Sequence, residues 1–237
     1  MKILVTGSKG YLGKEFVNRY KDEYEIVGYD IVDGDDILDY ANLLKKLEGC
    51  EMVVHLAAIP KPVVEKTFTD YFSINVEGTL NVLRAAVEKK VTRVIYGSST
   101  TIYGIERGIP FKTPIKEDQL FVSQYLTVDD LSCRDADLSY HMSKVMAEQI
   151  LAWYGLTKKI QTIALRLGPI NKVFLKTSIS INNATAAVKL ALDAKGEFFY
   201  EAFSIVDELP HIDISKAKRM LGYKPEKPRY TKEQIHD

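Results

Sequence analysis

The stretch Thr6-Gly7-Ser8-Lys9-Gly10-Tyr11-Leu12-Gly13 decides the fold of this chain. It follows a short apolar run at 3–5 and opens a segment with helical patterning. Glycines in such a turn let the backbone reverse sharply and let its N–H groups approach a pyrophosphate at the start of a helix. The turn therefore predicts a strand–turn–helix unit that binds a dinucleotide, with Gly7, Gly10 and Gly13 as cofactor-binding residues. A glycine turn without a ligand is the alternative interpretation.

An acidic residue stands where a dinucleotide site needs one. Asp30 follows the next apolar run, at 25–29, and lies 23 residues after Gly7, near the roughly 20 residues typical of such sites. Its carboxylate can accept hydrogen bonds from both hydroxyls of an adenosine ribose and would repel a 2′-phosphate, so we expect NAD rather than NADP. Lys9 is the residue that would favour NADP, although an exposed loop lysine is more often only solvated.

Length and charge exclude several classes of protein. The chain has 237 residues, enough for one or two domains, and its 32 basic and 32 acidic residues give a net charge of zero. A balanced charge argues against a nucleic-acid partner, because such proteins are basic. No apolar run approaches the roughly 20 residues of a membrane span, so we expect no membrane partner.

Cysteine and histidine usage points to a reducing compartment without a metal site. Two cysteines, Cys50 and Cys133, cannot build a disulfide framework, and the four histidines show no ligand spacing. The apolar run at the N-terminus is too short for the core of a signal peptide. We therefore expect a cytoplasmic protein that binds no metal.

Short apolar runs alternate with amphipathic segments along the chain. The runs lie at 3–5, 25–29, 52–56, 94–96 and 162–165, and helical patterns lie at 72–87 and 140–154. Runs that are apolar on both faces suit a buried parallel sheet. We therefore expect an α/β fold: a Rossmann-like, doubly wound parallel sheet with helices on both faces.

This regularity changes in two places. Residues 104–138 hold two prolines and many charges, which indicates a long loop of the kind that is often functional. After Pro169 the pattern predicts a helix at 183–194, a strand at 198–203, a helix at 213–221 that Gly222 caps, and a surface tail at 224–237. We therefore expect an NAD-binding domain at 1–168 and a small C-terminal substrate-binding region at 169–237.

Tyr140 and Lys144 form a Tyr-x-x-x-Lys pair, and the four-residue spacing puts both side chains on one helical face. A buried ammonium beside a phenol favours the phenolate, so we expect a lowered pKa for Tyr140 and a role as general base. The cluster at 97–101 follows a predicted strand, at the sheet edge where ligands bind, so its hydroxyls, Thr100 among them, should meet the substrate. An ordinary amphipathic helix and a set of turn hydroxyls are the structural alternatives.

The motifs together resemble the extended short-chain dehydrogenases/reductases, the NAD-dependent epimerase/dehydratase group. The resemblance covers roughly residues 1–170 and rests on TGSKGYLG at 6–13, Asp30, DDI at 35–37, HLAA at 55–58, NVEGTLNVL at 75–83, SSTTIYG at 98–104 and YHMSK at 140–144. Several of these motifs are weak alone, but their order and spacing make the set highly specific.

The resemblance implies a role for each matching residue. Tyr140 would take a proton from a sugar hydroxyl as hydride leaves for the nicotinamide. Lys144 would bond the nicotinamide ribose, and Ser99 would bond the reacting substrate oxygen. The other implied cofactor contacts are Tyr11 and Leu12 at the pyrophosphate, Asp36 and Ile37 at the adenine, Leu56, Ala57 and Ala58 under the cofactor, and Asn75, which fixes the surrounding loops.

The sequence departs from the family in two respects. The chain is shorter than members that act on nucleotide-diphosphate sugars, and Leu165-Arg166-Leu167-Gly168-Pro169-Ile170 replaces the family's Asn-x-Tyr-Gly-Pro stretch. Both departures favour a compact member similar to the uronate dehydrogenases, which oxidise free sugar acids. Arg166 is a candidate partner for a substrate carboxylate, with a structural salt bridge as the alternative. Thr100 and Thr101 replace the Asp-Glu pair of the dehydratases, which disfavours dehydration.

We therefore expect an NAD-dependent oxidoreductase that takes hydride from a sugar or sugar-acid hydroxyl, with Tyr140 as general base. An epimerase with tightly bound, recycled NAD would use the same residues. A dinucleotide-binding sensor without turnover is the third alternative. The family also implies a homodimer, formed through the helices around 72–90 and 140–156. We interpret His55, at a strand end in an apolar setting, as a structural residue.

Overall fold

The structure is a computed structural model that describes residues 1–104, 113–124, 135–172 and 177–227. The predicted loop at 104–138 and the predicted tail at 224–237 fall partly outside these residues, and Cys133 falls wholly outside them.

Six parallel strands form one sheet in the described ranges, in the order β2-β1-β3-β4-β5-β6. The strands are β1 (Lys2–Thr6), β2 (Glu25–Tyr29), β3 (Met52–His55), β4 (Arg93–Ser99), β5 (Gln161–Leu167) and β6 (Phe199–Ile205). The helices are α1 (Tyr11–Tyr20), α2 (Tyr40–Lys46), α3 (Phe68–Tyr71), α4 (Gly78–Glu88), α5 (Asp135–Leu156), α6 (Ile181–Asp193) and α7 (Ser215–Leu221). The predicted Rossmann-like fold is confirmed.

The strand order reverses between β1 and β3. The chain leaves β1 for the outer strand β2 and then returns past β1 to form β3, so the two connections diverge from this point. Divergent connections leave a crevice at the carboxyl ends of the strands, which is where ligands bind in open α/β sheets. Thr6 and His55 are the last paired residues of β1 and β3, at the strand ends next to this crevice.

The core has one layer on each face of the sheet. Along β1, Ile3 and Val5 pack in one cluster and Leu4 packs in the other, because successive side chains of a strand point to opposite faces. The first cluster includes residues of α1, α6 and α7, and the second includes residues of α2, α4 and α5. Both layers are fully buried at β1, which explains its uninterrupted apolar run.

The helix predicted at 72–87 begins earlier and contains a π-helical segment. Thr67 and Asp70 form a capping box that starts α3, and Phe72–Glu77 is π-helical before α4 begins. The Thr79 hydroxyl donates a 2.6 Å hydrogen bond to the Asn75 carbonyl, the acceptor that an α-helical ladder would give to the Thr79 amide. Such segments are rare and often lie at functional sites.

The region at 177–227 completes the same sheet. Its strand β6 pairs in parallel with β5, and Tyr223 packs in the same cluster as Ile3. Gly222 ends α7 with a φ of 71°, as its predicted role as a cap requires, although α7 begins at Ser215 rather than at 213. The substrate-binding role predicted for this region stays a proposal.

Candidate active site

A cleft of about 520 Å³ lies at the carboxyl ends of the central strands. The residues that the sequence predicts for the site and that line this cleft are Tyr11, Leu12, Gly13, Leu56, Ala58, Ser99, Tyr140 and Lys144. They come from the glycine turn, the segment after β3, the end of β4 and helix α5. The fold therefore brings together residues that are up to 133 positions apart in the chain.

The glycine turn forms one wall of the cleft, and its geometry requires glycine. Gly7 has a φ of 69°, and a Cβ placed there would lie 2.7 Å from the Ala57 amide nitrogen. A Cβ at Gly13 would lie 2.0 Å from the Gly7 carbonyl oxygen. Gly10 is the N-cap of helix α1 and offers no side-chain cap, and the first turn holds no acidic residue, so the first amides of the helix are available to an anion. This arrangement fits the pyrophosphate of a dinucleotide.

Asp30 is held in place at the end of β2. Its carboxylate is buried and accepts hydrogen bonds from the amides of Lys9, at 2.8 Å, and Val32, at 3.1 Å. The Lys9 ammonium, which could have favoured a 2′-phosphate, lies 3.5 Å from the Asp33 carboxylate. Ile31 and Val32 are apolar but 67% and 77% exposed, and the sequence analysis missed them. Their signal was two apolar residues directly after the ribose-binding candidate.

Asp36 and Ile37, the candidates for the adenine, do not line the cleft described above. The Asp36 carboxylate accepts from the Leu38 amide, and its carbonyl accepts from the Tyr29 hydroxyl. Ile37 is 5% exposed and packs so closely on Gly78 that a Cβ there would lie 2.4 Å from the Ile37 Cδ1 atom. Ile37 thus joins the β2 edge of the sheet to helix α4.

His55 belongs to a buried chain of hydrogen bonds. Its Nδ1 lies 2.7 Å from the Thr6 hydroxyl and its Nε2 lies 2.9 Å from the Thr79 hydroxyl. Because Thr79 donates to a carbonyl, it accepts from Nε2–H, which leaves Nδ1 as an acceptor. Burial and, to a smaller extent, the charge of Lys144 together lower the pKa of His55 to about 3. A neutral imidazole with both ring nitrogens hydrogen-bonded agrees with the structural interpretation of this residue.

Asn75 connects the segment after β3 to the helix that carries Tyr140. Its side chain accepts from the Ile59 amide at 2.7 Å and donates to the Ile59 carbonyl at 3.2 Å. It also donates to the Ser143 hydroxyl, which donates in turn to the Tyr140 carbonyl. Asn75 therefore anchors the segment that includes Leu56, Ala57 and Ala58.

Ser99 and Tyr140 meet at the base of the cleft. The Ser99 and Thr101 hydroxyls lie close enough to the Tyr140 phenol to lower its pKa, and the Thr101 hydroxyl donates to that of Ser99 at 2.9 Å. Burial raises the pKa of Tyr140 to about 12, and the two hydroxyls only partly oppose this. The expected lowering of this pKa is therefore wrong for the protein without cofactor.

The Lys144 ammonium, which was expected to lower the pKa of Tyr140, makes its hydrogen bonds to other groups. It donates to the Gly97 carbonyl at 2.9 Å and to the Tyr96 hydroxyl at 3.4 Å, and it lies 5.0 Å from the centre of the Tyr96 ring. Burial lowers the pKa of Lys144 and the Glu148 carboxylate opposes part of this effect, which leaves the pKa at about 8. The ammonium thus stands beside the strand end rather than supporting a phenolate.

Two substrate candidates lie away from the cleft. Arg166 is buried against Glu148, with Nη2 2.6 Å from Oε1, which is the structural salt bridge named as the alternative to a contact with a substrate carboxylate. Thr100 is buried and its hydroxyl lies 3.4 Å from that of Thr177. Thr101 lines the cleft instead, because Ser99 caps a 3₁₀ turn that ends the alternation of the strand.

Two lysines at the cleft were missed by the sequence analysis. Lys61 follows β3 and Lys172 follows β5, and both are exposed and line the cleft. Within the described ranges no group of three or more histidine, cysteine or acidic residues could hold a metal. None of the helices that the structure describes is both long and apolar enough to cross a membrane.

Comparisons with known proteins agree with this geometry. Residues 3–170 match the NAD dependent epimerase/dehydratase family. A uronate dehydrogenase from Pseudomonas syringae pv. tomato is 26% identical over 209 residues, 81% of this chain and 69% of that protein. The L-arabinose 1-dehydrogenase (NAD(P)(+)) from Haloferax volcanii is 26% identical over 175 residues, 70% of this chain and 66% of that protein.

Solved structures share the fold. A structure described as a mutated uronate dehydrogenase has a TM-score of 0.76 and 22% identity, and the match covers 95% of this chain and 82% of that one. The UDP-glucuronic acid 4-epimerase from Bacillus cereus in complex with NAD has a TM-score of 0.76 and 21% identity, with 96% and 94% covered.

Proposed function

Because the chain belongs to the NAD dependent epimerase/dehydratase family, we propose that it is an NAD-dependent oxidoreductase that takes hydride from a hydroxyl of a sugar or sugar acid. The observation that carries this proposal is the meeting of Ser99, Tyr140 and Lys144 in one cleft whose other wall is the glycine turn. These residues supply a proton acceptor, a hydroxyl and a cation within reach of one bound molecule.

NAD is the cofactor that this cleft would hold. The open amides of α1 would bind its pyrophosphate, and Asp30 would accept hydrogen bonds from its adenosine ribose. The exposed Ile31 and Val32 give the adenine an apolar surface next to Asp30. Lys9 is engaged by Asp33, which supports NAD over NADP. Bound NAD would supply the hydride acceptor.

The chain's own residues would manage the proton. Ser99 would donate a hydrogen bond to the reacting oxygen, and Tyr140 in its phenolate form would take the hydroxyl proton as the C–H bond gives up hydride. Since the pKa of Tyr140 is about 12 before the cofactor binds, the phenolate requires a nearby positive charge. Lys144 would provide that charge by turning from the Gly97 carbonyl toward the phenol.

The charge of the cleft favours a sugar acid over a neutral sugar. Besides Lys144, the charged side chains of its described lining are Lys61 and Lys172, and no acidic residue joins them there. Neither lysine has an ion-pair partner among the residues that the structure describes, and two such cations attract an anionic group such as a carboxylate. The similarity to the uronate dehydrogenase from Pseudomonas syringae pv. tomato supports the same choice.

A panel of substrates tests this proposal. Purified protein is mixed with NAD and with free aldoses, uronic acids or nucleotide sugars, and absorbance at 340 nm reports NADH. Growth of NADH with a uronic acid supports the proposal. An epimerised nucleotide sugar without net NADH would favour the alternative, an epimerase that recycles bound NAD. Retained NAD with no reaction on any sugar would favour a sensor.

We also propose that the protein is a homodimer. Four large apolar side chains on α3, the π-helical segment and α5 are 39–68% exposed: Phe68, Phe72, Trp153 and Leu156. Exposed apolar groups on two neighbouring helices are typical of a contact surface. Light scattering should give a mass twice that of the chain, which is 26.8 kDa. Trp153→Glu should reduce the measured mass to that of a single chain.

A further inference from the structure

Glu148 is a fully buried carboxylate on α5 that the proposed reaction does not use. It accepts a 2.5 Å hydrogen bond from the Ser98 hydroxyl and a 3.0 Å hydrogen bond from the Tyr200 hydroxyl. Arg166 donates to it through Nε at 3.0 Å and through Nη2 at 2.6 Å. Three strands, β4, β5 and β6, thus converge on one side chain of one helix.

The position of Glu148 ties it to the reacting groups. Tyr140, Lys144 and Glu148 follow one another at intervals of four residues, so they lie on one face of α5, with Cβ atoms about 5–6 Å apart. Its partner Ser98 is the residue before Ser99, at the end of β4. Glu148 is therefore one helical turn behind Lys144 and in direct contact with the strand that carries Ser99.

The backbone is strained at Tyr200, next to Glu148. Tyr200, whose hydroxyl reaches Glu148, has a φ of 70°, a left-handed conformation that is an outlier for a bulky residue. It packs against Gly155, where a Cβ would lie 2.7 Å from the Tyr200 amide nitrogen and 2.4 Å from the Thr162 hydroxyl. Strain of this kind persists where surrounding contacts determine it, and it often lies at functional sites.

Stability alone is a weak reason for the Glu148–Arg166 pair. Desolvation of two buried charges largely offsets their attraction, and apolar residues of similar volume often replace such pairs without loss. An electrostatic effect of Glu148 on Lys144 would account for the pair in functional terms. The ionisable groups around Lys144 are His55 on β3, Tyr96 on β4, and Tyr140 and Glu148 on α5. Glu148 is the carboxylate among them, and His55 is neutral.

We propose that Glu148 is a positioning residue that keeps Lys144 protonated, while Arg166 and Tyr200 fix the carboxylate behind it. A protonated Lys144 is what the phenolate of Tyr140 needs, so this inference rests on the proposed function. The negative charge of Glu148 offsets part of the effect of burial on Lys144. Arg166 compensates Glu148 from the far side and limits how strongly it acts.

Two charge-removing variants test this inference through opposite effects. Glu148→Gln removes a negative charge and should lower the pH midpoint for deprotonation of Lys144 below its native value of about 8. A unit charge at about 6 Å with an effective dielectric constant of about 20 predicts a shift of about two pH units, and half that at twice the dielectric constant. Arg166→Gln removes a positive charge and should raise the midpoint.

The midpoint is read without turnover. Acetic anhydride modifies the deprotonated amine, and mass spectrometry of the Lys144 peptide against pH gives the midpoint in the protein without cofactor. Because no sugar is needed, the result stands even if the proposed function fails. The matched control is Asp193→Asn, which removes a carboxylate four residues after Lys189 at an exposed site and should leave the Lys144 midpoint unchanged.

A merely structural role would give a different result. Both variants would then lose folded protein, and their folded fractions would share the native midpoint, which would overturn the proposal. Where a single variant does not fold, Glu148→Gln combined with Arg166→Met leaves no unpaired buried charge. The midpoint of Lys144 in this double variant should fall, but by less than the shift expected for Glu148→Gln alone. An unchanged midpoint would again overturn the proposal.

Discussion

Replacing Gly7 by alanine tests whether the close backbone contact under the glycine turn shapes the cofactor site. The matched control is Gly222→Ala at the end of α7. The two glycines have nearly the same φ, 69° and 71°, but a Cβ at Gly222 would meet no atom within 4 Å. Left-handed conformation costs both variants about 1–2 kcal/mol of free energy of unfolding.

The contact with Ala57 separates the two variants. A Cβ at Gly7 would lie 2.7 Å from the Ala57 amide nitrogen, whereas ordinary contacts begin at 3.4 Å, so the turn or the segment after β3 must move by about 0.7 Å. Such overpacking costs a further 1–3 kcal/mol or so. If the turn yields, the same energy weakens NAD binding by about 5- to 150-fold.

Calorimetric titration with NAD and thermal unfolding measure these effects. Gly7→Ala should bind NAD at least about 5-fold more weakly and unfold at a lower temperature than Gly222→Ala, which should bind NAD like the native protein. Native affinity of Gly7→Ala for NAD, or an equal loss of NAD affinity in both variants, would refute the assignment of the turn to the pyrophosphate.

Three further predictions follow from the site. Asp30→Ser should weaken NAD binding and reduce the ratio of NAD affinity to NADP affinity by about tenfold, which corresponds to 1.4 kcal/mol. An unchanged ratio in titrations with both cofactors would contradict the role of Asp30. His55 has a pKa of about 3 in the folded protein against 6.5 in the unfolded chain, so the unfolded state binds the extra proton. The contribution of His55 to the free energy of unfolding is therefore complete above pH 6.5 and should fall by about 1.4 kcal/mol per pH unit below it. Denaturant titrations at several pH values measure this fall, and an equally steep fall with pH in His55→Asn would contradict the prediction. Lys172→Met should raise the KM for a uronic acid several-fold but leave that for a neutral sugar unchanged, and equal effects on both substrates would exclude an anion-binding role.

Local spacing made much of this protein predictable. The glycine turn, Asp30 and the Tyr140–Lys144 pair are each set by intervals of a few residues or by the length of one βαβ unit, so the sequence displays them directly. Apolar runs placed the strands because both faces of a parallel sheet are buried. Gly222 was readable as a cap because glycine adopts the left-handed conformation without strain.

Contacts between distant segments were not predictable in this way. Arg166 pairs with Glu148 because helix α5 packs on the sheet there, and neither the helical nor the strand pattern of the sequence shows which residues of the two elements meet. The choice of Thr101 over Thr100 at the cleft depends on the turn that Ser99 caps. Burial raises the pKa of Tyr140, and no local pattern shows that the Lys144 ammonium binds the Gly97 carbonyl of the neighbouring strand end instead of offsetting this effect.

The measurement that tests the central claim most directly is NADH formation by Tyr140→Phe with the substrate that the panel identifies. Removing a general base should reduce kcat by about 10²- to 10⁴-fold while NAD binding and folding stay native. Tyr154→Phe, on the same helix but outside the cleft lining, is the control and should keep native kcat. A Tyr140→Phe protein that forms NADH at the native rate would contradict the claim that Tyr140 is the base.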